Sequence, residues 1–182
     1  MELVRPMRAI SALILFAATL PVTAQSASAP AQPTVGILHP ADLKGVLPGT
    51  VFFRGQSATT QLRNSAGVRF EDGSLMMTAL VDNSGYSSGI QQKYQAYLLT
   101  EVTLDFGGKK LPPGAYGAGI VRDGDNRKFV VMNLAAQDVF QTAAGEDEKL
   151  HRPVPLQIVE GSAPGQYRLY LGRNYIDFKR AQ

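Results

Sequence analysis

The stretch Ala96-Tyr97-Leu98-Leu99-Thr100-Glu101-Val102-Thr103-Leu104-Asp105-Phe106 decides the fold class. Leu98, Val102, Leu104 and Phe106 share one face of an extended chain, while Glu101, Thr103 and Asp105 point the other way. A period of two marks a half-buried β-strand. Gly107-Gly108 ends the run. Pro112-Pro113-Gly114 then offers a type II turn, with Pro fixing one φ and Gly supplying a positive one, and Tyr116–Val121 returns as a strand.

The same alternation of short apolar runs and turn clusters extends in both directions. Upstream lie Val51–Arg54, entered through Pro48-Gly49, and Leu75–Val81, held between Glu71-Asp72-Gly73 and Asp82-Asn83-Ser84-Gly85. Downstream, Asp123-Gly124-Asp125-Asn126 turns into Phe129–Leu134. Leu156–Val159, Tyr167–Leu171 and Tyr175–Phe178 follow, separated by Gly161–Gly165 and by Gly172. Such spacing predicts an all-β domain, an antiparallel sandwich or jelly roll of about eight to ten strands. A closed, lipocalin-like barrel is the alternative. Ile90, Tyr94, Tyr97 and Leu98 keep a helical period, and Ser88 with Gln91 makes a capping-box pattern before them, so a short helix is expected there. A second short helix is expected between Gln137 and Lys149. Tyr167 and Tyr170 must face opposite sides of a strand, so at least one is expected outside the core.

Composition bounds the chemistry. In 182 residues there is no Cys, which excludes disulfides, thiolate metal sites, iron–sulfur clusters, thiol catalysis and a lipid-modified cysteine. The two histidines, His39 and His151, leave little for metal or proton chemistry, so no metal and no cofactor are expected. A net charge of +3 is mild and dispersed, and gives no reason to propose nucleic-acid binding.

Residues 1–24 read as a secretory signal peptide. Arg5 and Arg8 precede the apolar run Ala9–Leu20, Pro21 breaks it, and Val22-Thr23-Ala24 supplies a small-residue cleavage site. The run is too short to span a bilayer, and no later stretch does so. The mature chain is expected to begin at Gln25, to be periplasmic or extracellular, and to carry a flexible linker, 25–33, before a single domain, 34–182.

Catalytic patterns are sparse. Gly85-Tyr86-Ser87-Ser88-Gly89 matches the nucleophile elbow of serine hydrolases, which makes a small hydrolase using Ser87 one alternative function. Against it, the chain lacks the long helical crossovers of that fold. Asp123-x-Asp125-Asn126 opens like a calcium loop but lacks the later ligands, so a hairpin turn is the better account. Glu101 and Asp105, four apart on one strand, are expected to be solvent-facing rather than a carboxylate pair.

The leading expectation is a non-catalytic binding or accessory protein of the cell envelope; a barrel carrying an apolar ligand is a further alternative. Two polar segments carry more hydrogen-bonding side chains than connectors need: Arg54, Gln56, Arg63 and Asn64 in one, Asp82 through Tyr86 in the other. Arg offers a planar fork of donors, Asn and Gln offer both donor and acceptor, and Tyr a flat amphipathic face. If the segments meet, a small polar ligand, a glycan or an envelope protein can dock between them. Equally, Arg54 or Arg63 can pair with Asp82 and simply tie two loops together.

On Val51–Asn64, Ala79–Ser88, Lys93–Glu101 and Leu111–Gly119 the chain resembles an uncharacterised family of small exported bacterial proteins. The resemblance implies export and an all-β fold. It carries no activity and no functional residue.

Overall fold

A computed structural model describes residues 34–182; the expected signal peptide and linker lie outside the described residues. Fourteen strands and one helix follow in the order β1 (Gly36–Leu38), β2 (Thr50–Phe53), β3 (Gln56–Arg69), β4 (Leu75–Val81), α1 (Ser88–Lys93) and β5 (Ala96–Thr100). Then come β6 (Leu104–Phe106), β7 (Lys109–Leu111), β8 (Gly114–Asp123), β9 (Asn126–Met132) and β10 (Asp138–Ala143). The last four are β11 (Gly145–Glu146), β12 (Leu156–Glu160), β13 (Gln166–Leu171) and β14 (Asn174–Arg180). Every pairing is antiparallel.

The strands make two open sheets. The larger runs β1-β3-β4-β5-β8-β9-β10, with β2 added to β3; the smaller runs β12-β13-β14-β6-β7, with β11 added to β14. Neither closes on itself, so the architecture is an all-β sandwich and not the closed barrel held as an alternative. The strand count exceeds the expected eight to ten. The excess is β1, β3, β7, β10 and β11, with the expected 96–106 strand divided in two.

That division is where the chain changes sheets. β5 belongs to the larger sheet and β6 to the smaller. Between them the Thr100 hydroxyl donates to Val102 O at 2.7 Å and accepts from Val102 N at 3.2 Å, satisfying the backbone at the kink. The alternation nonetheless keeps its meaning across the break. Leu98, Val102, Leu104 and Phe106 all lie in the core between the sheets, with Val68, Phe129, Val131, Ile158, Leu169 and Phe178. Phe106 is the hinge of that core, 5.3 Å from Phe129, 5.8 Å from Phe140 and 5.6 Å from Phe178 by ring centroids. Glu101 and Asp105 therefore do not share one strand. Glu101 accepts from Leu75 N at 2.7 Å and Asp105 from Gly108 N at 2.6 Å.

The outer face of the larger sheet is also covered, which explains why Phe129–Met132 reads as apolar without interruption and Leu75–Val81 is broken only by Thr78. Leu38, Leu43 and Leu47 cap Met77 and Ala79. Beside them, Phe53, Tyr86 and Tyr94 cap Val81, Tyr97, Val130 and Met132. Gly117 and Gly119 on β8 make this second layer possible. A Cβ on Gly117 would drive into the Phe53 and Tyr94 rings, and one on Gly119 into the carbonyl of Lys93.

The expected helix is α1, six residues long, but its N-cap is Ser87 and no capping-box bond forms. Gln91 instead donates from Nε2 to Tyr86 O at 2.7 Å and Ser84 O at 3.1 Å, folding the preceding loop against the helix. No helix forms within 137–149; β10 and β11 occupy it. Pro112-Pro113-Gly114 is a bend between sheets, not a type II turn: Gly114 sits at φ 153° and Tyr116 Oη donates to Pro112 O at 3.0 Å. Asp123–Asn126 is the expected hairpin turn, between β8 and β9. Tyr167 and Tyr170 do face opposite sides. Tyr167 packs on the main core, and Tyr170 is buried as well, because the chain around Asp147 covers it and accepts its hydroxyl proton at 3.1 Å.

Candidate functional site

The register Phe53↔Gln56 leaves only Arg54 and Gly55 to connect β2 with β3. A two-residue loop must match the right-handed twist of its strands, and its type I′ form takes φ > 0 at both positions. Arg54 has φ 49° and Gly55 φ 74°. Glycine adopts this freely, whereas a residue with a Cβ is disfavoured there by about 1 kcal/mol. Strain of this kind at an exposed turn is a pointer to function.

The turn is held from two sides. Arg54 N donates to Leu134 O at 2.7 Å. The Tyr86 hydroxyl, pointing at the strand ends, donates to Phe53 O at 3.0 Å with Gln56 O at 3.2 Å sharing the proton. Tyr86 is only 6% exposed, and burial raises its phenol above the ordinary value. Tyr86 thus offers no face to solvent. Its ring stands edge-on to Phe53, 6.1 Å away at 65°, and to Tyr94, 5.4 Å away at 81°.

The other polar residues distribute along β3. Gln56 and Arg54 are exposed at the tip. Asp82 N donates to Thr59 O at 2.9 Å, and its carboxylate accepts from Ser84 N at 3.1 Å. The Ser84 side chain, and then its amide, lower the Asp82 carboxyl below its usual range. Arg63 and Asn64 sit in a bulge: Gln61 through Asn64 lie between the pairs Thr60↔Val81 and Ser65↔Ala79, opposite Leu80 alone. Asn64 donates to Gln61 Oε1 at 2.7 Å and Ser65 Oγ to Leu62 O at 2.5 Å, closing the bulge on itself. The structure therefore ties Tyr86 to the main chain of Phe53 and Gln56 on either side of Arg54, places Asp82 beside Thr59, and leaves Arg63 and Asn64 bonded to none of these. Among the described residues five ion pairs form, and none includes Arg54, Arg63 or Asp82.

Two features escape the sequence reading. Phe52 is 68% exposed. In Val51-Phe52-Phe53-Arg54 two adjacent aromatics on one strand must face opposite ways, a signal that marks one of them for solvent. Leu134, on the segment bonded to Arg54, is exposed too. On the outer face of the smaller sheet, Arg168 grips Asp177 in a bidentate pair, Nε to Oδ1 at 2.6 Å and a second bond at 2.9 Å. Its guanidinium also lies 3.8 Å from the Tyr175 ring centroid. The Asp177 bonds raise the guanidinium pKa above its ordinary value. The Gly172 hairpin sets this register, Arg168↔Asp177, so the pair is latent in the sequence once that turn is placed.

Ser87 stands exposed ahead of α1 at φ −62°, ψ 152°, an ordinary extended conformation rather than a strained elbow. His151 lies in the connection from β11 to β12, on the smaller sheet. Among the described residues no three His, Asp or Glu side chains group as metal ligands, and no helix is long and apolar enough to cross a membrane. Comparison of the chain with protein-family models, with curated proteins and with solved structures finds no match.

Proposed function

We propose that the protein is an exported, non-catalytic binding protein of the cell envelope, and that the tip of the β2–β3 hairpin contacts another envelope protein. One observation carries this reading: Phe52 is 68% exposed beside Arg54, which a rigid turn holds at φ 49°. Burying a Phe side chain is worth roughly 2 kcal/mol, and this fold leaves that gain unused. Aromatic and Arg side chains are the commonest anchors of protein interfaces. The bonds to Leu134 O and from Tyr86 Oη fix the turn beforehand, so little conformational entropy remains to be lost on binding. Export rests on the charged, apolar and small-residue order of positions 1–24.

The reading is tested by passing an envelope fraction over immobilised protein. Phe52→Ser should lower retention of a bound envelope protein by about tenfold, equivalent to roughly 1.4 kcal/mol, with an unchanged melting temperature. Equal retention by Phe52→Ser and the unaltered protein would overturn it.

A further inference from the structure

β10 is the last strand of the larger sheet, and its two edges are unlike. Ala144 N, just past its end, donates to Arg127 O of β9 at 2.9 Å. Main-chain groups alternate sides along an antiparallel strand, so Thr142 also bonds to β9, where it lies opposite Phe129. Gln141 and Ala143 turn their amides and carbonyls the other way, off the sheet. Both residues are exposed, and among the described residues no strand pairs with this edge. Two open grooves, of ≈ 720 Å³ and ≈ 430 Å³, share the Thr142–Ala144 segment as a wall, so the edge is approachable.

An unpaired edge is a template for another strand, and proteins commonly block it by shortness, Lys, other charges or Pro. The other terminal strands are blocked in these ways. β1 has three residues, β7 carries exposed Lys109 and Lys110, and β12 is entered through Pro153 and Pro155 and closes on Glu160. β10 lacks such devices along its free edge: Val139-Phe140-Gln141-Thr142-Ala143-Ala144 contains no charge and no proline.

The segment is also complementary to itself. A twofold axis at Thr142 brings Gln141 of each copy opposite Ala143 of the other, so the outward amides and carbonyls meet in both pairs. The two Thr142 side chains then stand opposite each other on the face shared with Phe129. They form a non-hydrogen-bonded pair, whose Cα atoms lie about 4.5 Å apart, and threonines so placed bond hydroxyl to hydroxyl. Phe140 of one copy comes opposite Ala144 of the other on the same face, a large side chain beside a small one. The match ends there. A register shift between Asp138 and Phe140 breaks one end, and the chain leaves for β11 at the other. A twofold contact of this kind occupies both edges, so it closes at two copies and does not propagate.

We propose that the protein associates with a second copy of itself by antiparallel pairing of Phe140–Ala144 about Thr142, making one sheet continuous across two subunits. The paired length is short, below that of a standard interface, so the dimer is weak, with a dissociation constant on the order of 100 µM. The contact is separate from the hairpin tip and stands or falls independently of it.

The test is sedimentation velocity on the purified protein between about 10 µM and 1 mM, where the mean mass should climb toward that of two chains. Thr142→Lys and Thr142→Glu each set like charges opposite one another at the axis and should each raise the dissociation constant about fivefold or more. An equimolar mixture of these two variants should recover to within about threefold of the unaltered protein, because opposite charges then meet. Gln141→Pro, which removes an amide that the β9 ladder does not use, should weaken association as well. A single chain at about 1 mM, as an edge reserved for a different protein's strand gives, would overturn the proposal. So would association unchanged by Thr142→Lys, or a mixture that recovers nothing.

Discussion

The Tyr94 ring lies flat on the Phe53 ring, 3.9 Å between centroids and 17° from parallel. Both rest on Gly117 of β8, where no Cβ stands in the way. This stack fixes the β2–β3 hairpin and the end of α1 to the same patch of sheet. It also strands one polar atom: the Tyr94 hydroxyl is buried without a hydrogen-bond partner.

Removing that hydroxyl should therefore help. Tyr94→Phe is expected to stabilise the protein by about 1 kcal/mol, since a buried unpaired hydroxyl is a net loss. The substitution also tests a pH effect. Burial pushes the Tyr94 phenol well above the ordinary tyrosine value. The folded state thus prefers the neutral form. Its contribution is complete below the unfolded pKa, near 10, and declines as the unfolded chain ionises above it. Chemical denaturation between about pH 9 and 11.5 should show an alkaline loss that Tyr94→Phe reduces.

Gly119→Ala should be severe for so small a change. The added methyl would meet the Lys93 main-chain carbonyl, which cannot rotate away as a side chain could. A destabilisation of about 2 kcal/mol or more is expected from overpacking, read as a lower urea midpoint. A midpoint within error of the unaltered protein would show that α1 sits less tightly on β8 than described.

Arg54→Asn separates strain from recognition. Asn tolerates φ > 0 far better than Arg, so the variant should gain about 0.5 kcal/mol in stability. The same change should weaken capture of the envelope partner. Loss of stability would mean that the Arg54 side chain holds the fold.

Asp72 governs part of the acid response. Hydrogen bonds from Arg180 and Ser74 hold its carboxyl well below the usual carboxylate range. A depressed folded-state value gives a contribution that is complete above the unfolded pKa, near 4, and fades as pH falls below it. Asp72→Asn should flatten the acid limb of stability against pH, with little change near neutrality.

Strands whose apolar character is self-contained were legible from sequence. Leu75–Val81 matches β4 residue for residue, and Leu98, Val102, Leu104 and Phe106 all reach the core. β3 was invisible because Gln56–Asn64 is polar: its first half forms a hairpin arm and a bulge, facing solvent on most positions. β10 resists for a related reason, as an edge strand with four of its six residues exposed. At the candidate site, Arg54 and Gln56 stand exposed at a turn, as their chemistry suggests. Tyr86, a candidate ligand-facing side chain by its chemistry, is turned inward instead, and nothing in Gly85-Tyr86-Ser87 signals that the β2–β3 hairpin folds over it. Phe52 was passed over because exposure of one aromatic in a pair depends on which face the sheet already occupies.

Photo-crosslinking from position 52 in cells that export the protein tests the central claim most directly. With benzoylphenylalanine replacing Phe52, the account predicts one discrete adduct with an envelope protein, diminished by Arg54→Ala. The same crosslinker at Pro153, exposed on the smaller sheet's side of the fold, should give none. No adduct from position 52 above the Pro153 control, or an adduct that carries glycan and no protein, would contradict it.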